Sequence, residues 1–185
     1  MTVVHNIFLV GMPGAGKSTV GKALARRCGL RFLDCDHEIE RRTGVSIATI
    51  FEIEGEAGFR EREAQLIAEV CTGSGLVLAT GGGVILREDN RRTLREHGLV
   101  VFLQARLTDL VTRTRRDTKR PLLQGDDPVG KLRALMETRE PLYHQAAHLV
   151  FDAATHHAGR MADLIIERMA EQGYTLAPPP TLGTS

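Results

Sequence analysis

The nine residues GMPGAGKST at positions 11–19 constrain this chain more than any other stretch. They follow the apolar run Ile7-Phe8-Leu9-Val10 and precede a helical pattern through Val20, Leu24 and Ala25. The spacing G-x-x-x-x-G-K-S, at Gly11, Gly16, Lys17 and Ser18, is that of a phosphate-binding loop between a strand and a helix. Its glycines let the backbone wrap a polyphosphate, so that peptide N–H groups and a helix N-terminus point at the anion. Lys17 brings a point charge to the β- and γ-phosphates, and Ser18 a hydroxyl to Mg²⁺. The ligand this pattern predicts is a nucleoside triphosphate, ATP above all; the competing reading is a glycine-rich turn that binds nothing. Phosphate loops serve switches, motors, transporter subunits and small-molecule kinases, so the loop supplies a phosphoryl donor and leaves its destination open.

The rest of the chain alternates short apolar runs with longer helical stretches. The runs are residues 7–10, 31–34, 76–79, 99–103 and 148–151. This predicts an α/β fold of the three-layer P-loop type, a five-stranded parallel sheet flanked by helices. With 185 residues, 42% of them hydrophobic, there is material for one core. We expect a single domain over residues 1–172, with a helical insertion at 35–63 and a polar, Pro/Gly-punctuated loop at 113–127 (RTRRDTKRPLLQGDD). Both extras would lie at the carboxyl edge of the sheet, where open α/β sheets bind ligands. Residues 173–185, ending APPPTLGTS, are assigned no structure.

Charge and cysteines narrow the partners. Twenty-four basic side chains against 23 acidic ones leave a net charge of +1, too little to recruit nucleic acid or an anionic membrane, so any anion must be caught locally. Cys28, Cys35 and Cys71 are odd in number and widely spaced, which predicts reduced thiols rather than a disulfide framework or a paired zinc site. Neither a signal peptide nor an apolar run of membrane-spanning length is legible, and the expectation is a cytoplasmic monomer.

Several stretches bear on the acceptor. An extended Asp34-Cys35-Asp36 would put both carboxylates on one side, one toward a metal's water shell and the other toward an acceptor hydroxyl; equally, these acids could cap a helix beginning near His37. Gly81-Gly82-Gly83 exceeds what a strand-to-helix turn needs, so either ligand approaches the backbone there or the turn is merely flexible. Arg60 and Arg139 each have acids at helical spacing and, taken singly, belong on solvated helix faces. Arg120 lies in the 113–127 loop, where an arginine brought down on closure could neutralise charge on a transferring phosphoryl group. A Walker B strand would end in an acid, yet the third run leads into glycine and the fourth ends at Gln104. Asp152 imitates the pattern on the last run and is taken as a decoy, Asp34 being the better acid for the metal region, and His156-His157 are taken as surface residues.

In combination these residues resemble the shikimate kinase family, within the nucleoside monophosphate kinase-like branch of P-loop folds. The resemblance rests on GMPGAGKST, Asp34-x-Asp36, Ile50-Phe51 ahead of Gly58-Phe59-Arg60-x-x-Glu63, Gly81-Gly82-Gly83, Arg120-Pro121-Leu122-Leu123 and Arg139-x-x-x-Tyr143, in family order over nearly all of residues 6–172. It implies phosphorylation of shikimate by ATP at the 3-hydroxyl, with Mg²⁺, in the route to chorismate and the aromatic amino acids. It implies substrate contacts at Asp36, Arg60, Gly82 and Arg139, and phosphate contacts at Gly14, Ala15, Gly16, Lys17, Ser18 and Thr19. Ser18 would sit on Mg²⁺ with Asp34 supporting it through water, Arg113 would flank the adenine, and Lys17, Asp36 and Arg120 would serve catalysis. The loop departs from the commonest family versions in its charge, at Arg115, Arg116, Asp117 and Lys119. Competing expectations are a gluconate or nucleotide kinase of the same fold, and a nucleotide-binding regulator without catalysis. The first lacks its His-containing sequence and the second its base-reading pocket; a regulator would not need Asp36 and Arg120.

Overall fold

The run Ile7–Val10 is apolar throughout because it is the middle of the sheet, with no solvent-facing side. A computed structural model describes residues 1–114 and 125–178. Strand β1 (Thr2–Val4) precedes that central strand, β2 (Asn6–Val10), which leads into helix α1 (Lys17–Cys28). Then follow β3 (Arg31–Asp34), α2 (Cys35–Thr43), α3 (Ile47–Val70) and β4 (Leu76–Ala79). A short 3₁₀ turn, Val84–Leu86, leads to α4 (Glu88–His97), β5 (Leu99–Gln104) and α5 (Leu107–Thr114). The remaining elements are α6 (Pro128–Ala146), β6 (Leu149–Asp152), α7 (Ala158–Glu171) and β7 (Tyr174–Leu176).

Five strands form a parallel sheet in the order β3-β4-β2-β5-β6, as the alternation predicts. From β2 the chain moves first to the β3–β4 side and later to β5, so the strand order reverses at the loop that carries GMPGAGKST. Such a switch point opens a crevice at the carboxyl edge. At the opposite pole Asn6 is the polar exception in the buried strand. Its amide donates to Gly73 O (2.9 Å) and His97 O (3.2 Å), and its side-chain oxygen accepts from Leu76 N (3.1 Å). One side chain thus ties the approaches to three strands, and every polar atom it buries is paired.

Three expectations need correction. The sheet is joined by a second, two-stranded one: β1 pairs in parallel with β7, Thr2 opposite Tyr174 and Val4 opposite Leu176. Residues 174–176 are therefore strand and not structureless tail; a three-residue strand carries too little periodicity to be seen in sequence. The helical insertion does not end at 63, since α3 continues to Val70 beyond a break at Gly55 (φ 71°). Nor does the chain stay extended through Asp34-Cys35-Asp36, because α2 starts at Cys35. Of the loop expected at 113–127, Arg113 and Thr114 end α5 and Asp127 caps α6 with its carboxylate on Gly130 N (2.9 Å). Arg120 lies outside the described residues. Among those described, no helix is long and apolar enough to cross a membrane, and the three cysteines are free thiols.

Candidate active site

The phosphate loop ends on Gly16, and α1 starts at Lys17 without any side-chain cap on its first N–H groups. A helix start left open in this way is a ready anion site. Lys17 is buried and folds back across the loop, its Nζ donating to Gly11 O (2.7 Å) and Met12 O (2.9 Å). Ser18 Oγ donates to Asp34 Oδ2, while Asp34 Oδ1 accepts from His37 N (3.1 Å). Of the two readings of Asp34, the structure shows the helix cap: one oxygen caps α2, and the other accepts from Ser18 of the phosphate loop. Asp36 reaches the same crevice from the first turn of α2, not from an extended strand. Cys35 between them points into the core, and burial together with the charges of Glu63, Asp36 and Asp34 holds its thiol well above the ordinary range. It is an inert packing residue.

The glycine run after β4 marks where buried charges crowd the backbone. A Cβ on Gly81 would stand 2.5 Å from Glu63 Oε1 and 2.9 Å from Asp36 Oδ1; one on Gly83 would stand 2.2 Å from Arg60 Nη2. The space the glycines leave is filled by these side chains, a use that differs from both the ligand approach and the flexible turn weighed from the sequence. Arg60 Nη1 pairs with Glu63 Oε2 (2.9 Å) and Nη2 with Glu56 Oε1 (3.2 Å). Arg139, on α6, is 3% exposed, and its charge acts on Glu63 as well. Arg60 and Arg139 therefore do not sit on solvated helix faces; they converge with Asp36 around one buried carboxylate.

That carboxylate is the main residue sequence reasoning left without a role. Glu63 is fully buried, and burial raises its pKa against the lowering effect of Arg60 and Arg139, with Asp36 adding to the rise. Its Oε1 has no hydrogen-bond partner among the described residues. The i, i+3 spacing from Arg60 was visible, but it looks like an ordinary surface pair. Tyr143, one helical turn beyond Arg139, is a second such residue: its hydroxyl donates to Gly82 O, and its ring stacks on Phe102 at 5.0 Å. Gly82 itself packs on Pro13 of the phosphate loop, since a Cβ there would lie 2.7 Å from Pro13 Cδ.

On the other side of the phosphate loop a cavity of about 270 Å³ is lined by Ala15, Gly16, Thr19, Arg113, His156 and His157. Arg113 Nη1 donates to Gly14 O (3.2 Å), and His157 caps α7 through its ring nitrogen and Arg160 N (3.3 Å). The histidines are exposed, as expected, but they border this cavity. Asp152 is indeed a decoy: its carboxylate is taken by Ala154 N (2.9 Å) and Arg106 (3.5 Å) in a turn. A larger cavity, about 580 Å³, lies at the opposite pole around Asn6, His97 and His148 and shares no residue with this site.

A nucleotide loop facing a pair of arginines across a glycine run narrows the field, and comparison with known proteins decides it. Residues 13–170 match the family model described as shikimate kinase. The chain belongs to the shikimate kinase family. The shikimate kinase of Burkholderia pseudomallei is 52% identical over 173 residues, 94% of each chain. The solved shikimate kinase from Acinetobacter baumannii, in complex with shikimate, superposes with a TM-score of 0.90 at 46% identity, covering 92% of this chain and 95% of that one. A gluconokinase from Sinorhizobium meliloti, at 23% identity and a TM-score of 0.54, shares the fold alone.

Proposed function

We propose that this chain transfers the terminal phosphoryl group of ATP to the 3-hydroxyl of shikimate, giving ADP and shikimate 3-phosphate on the route to chorismate and the aromatic amino acids. The observation that carries the reading is the convergence of Arg60 and Arg139 beside the glycine run, opposite the open end of α1. Shikimate is a carboxylate with three hydroxyls, and two forked guanidinium groups suit a carboxylate better than ammonium groups would. Gly82 borders the same pocket from the backbone side. Asp36, held on α2, orients the attacking hydroxyl and takes its proton as the phosphoryl group is transferred.

On the donor side Gly14 to Thr19 hold the phosphates with backbone N–H groups, and Lys17 turns its charge from the loop carbonyls to the β- and γ-phosphates. Arg113 flanks the adenine in the cavity it shares with His156 and His157. Arg120 neutralises charge on the transferring group, and the α2–α3 insertion helps exclude water as a competing acceptor. The domain works as a monomer.

Mg²⁺ fits the residues present. A serine hydroxyl and a carboxylate lie together at the start of α1, hard oxygen donors of the kind the ion takes singly while phosphates and water complete its shell. Among the described residues no group of three or more His, Cys, Asp or Glu could hold a metal without such help. Ser18 would be the direct ligand and Asp34 the partner through water. The bound ion supplies charge neutralisation across the phosphates.

The test is ADP formation by the purified chain with shikimate, gluconate and nucleoside monophosphates as alternative acceptors. Turnover that responds to shikimate alone is the expected result; an ATPase indifferent to shikimate would overturn the reading.

A further inference from the structure

The Arg139-x-x-x-Tyr143 spacing places a phenol one turn from an acceptor-side arginine, and the reaction as described gives that phenol no task. Tyr143 is fully buried. Its hydroxyl donates to the carbonyl of Gly82 and lies 3.8 Å from Met12 Sδ of the phosphate loop. Burial pushes the phenol's pKa far up against the lowering effect of the Arg139 charge, so it remains a donor at any working pH. The ring is fixed by stacking on Phe102, with an interplanar angle of 27°.

The carbonyl of Gly82 and the N–H of Gly83 belong to one planar trans peptide, and they point in opposite directions. Holding the carbonyl toward α6 therefore fixes the N–H away from it. Gly83 in turn abuts the Arg60 guanidinium. A run of three glycines has little conformational preference of its own, so an external anchor decides how this peptide lies.

We propose that Tyr143 is a positioning residue for the acceptor: its hydroxyl sets the Gly82–Gly83 peptide against Arg60 and ties it to α6, the helix that carries Arg139, so that the carboxylate-binding groups are held as one rigid unit. This rests on the assignment of shikimate as the acceptor. Tyr143 touches neither substrate; it acts through Gly82.

Tyr143→Phe keeps the ring and removes only the anchor. KM for shikimate should rise about 3- to 10-fold, the effect of one lost neutral hydrogen bond, while kcat and KM for ATP stay within about two-fold. A lowered melting temperature with an unchanged KM for shikimate would reduce Tyr143 to a packing residue, and an equal rise in both KM values would mean general loosening; either overturns the proposal. Should that variant fail to fold, 3-fluorotyrosine incorporation decides. The chain has two tyrosines, so Tyr174→Phe leaves one ¹⁹F resonance. With ADP present, a shift of that resonance on saturation with shikimate supports the anchor, and its absence, with shikimate binding verified by calorimetry, refutes it. Failure of the acceptor assignment would appear separately, as wild-type protein with no shikimate-dependent ADP formation.

Discussion

Glu63 shows what a single residue does in this crevice. It is a buried acid between the half-buried Arg60 and the buried Arg139, so its negative charge is what keeps the two arginines close together before an anionic ligand arrives. Removing that charge leaves like charges facing each other in a dry site. For Glu63→Gln, which preserves size and one acceptor, we expect a stability loss of about 1–3 kcal/mol and a weaker grip on shikimate. Denaturant unfolding measures the first and isothermal titration the second; wild-type values of both would remove Glu63 from the site. The phosphate loop was legible because its glycines, lysine and serine act through local backbone geometry. Glu63 was not, because its dryness comes from α3 packing under residues 81–83, a contact far apart in sequence. Arg139, taken singly, looks like a helix-face residue for the same reason.

At the scale of elements, α2 is the piece that carries Asp36, and charges tie it to α3. Glu38 accepts from Arg41 Nε and from Arg42 Nε, at 2.8 and 2.7 Å, and Arg42 continues to Glu69 on α3 at 2.6 Å. Hydrogen bonds from Arg41 and Arg42 lower the Glu38 pKa to about 2 from an ordinary 4.5. A carboxyl lowered on folding adds stability above its unfolded pKa, and that contribution disappears as pH falls through the native one. The difference in melting temperature between wild type and Glu38→Gln should thus be full above pH 4.5 and shrink steadily toward pH 2. A difference independent of pH over that range would show that the ion pairs do not secure α2. That Asp34 caps a helix was visible as one of two readings; that Asp36 lies within the helix was not, since Asp34-Cys35-Asp36 suits a strand end as well as a first turn. Packing of Cys35 and Ile39 into the core settles the choice.

Across the whole molecule, the parallel sheet of five strands follows from the alternation of runs and helices, whereas its order does not; that order places the phosphate loop between the acceptor insertion and the nucleotide cavity. The β1–β7 pair stands apart at the other pole, held by Thr2 N to Gly173 O and Ala177 N to Val4 O, both 2.8 Å. Neither strand has an apolar run to announce it, and each is stable only because the other arrives beside it. Truncation after Gly173 should lower the melting temperature by about 3–8 °C and leave KM for both substrates unchanged. A changed KM would connect this small sheet to the crevice.

The same pairing sets a timetable for synthesis. Thr2 leaves the ribosome long before Tyr174, its partner. At about 5–20 residues per second, β1 waits roughly 10–30 s for β7. Strands β2 to β6 can assemble in that interval, so the nascent protein acquires its catalytic crevice before its first residues find their place.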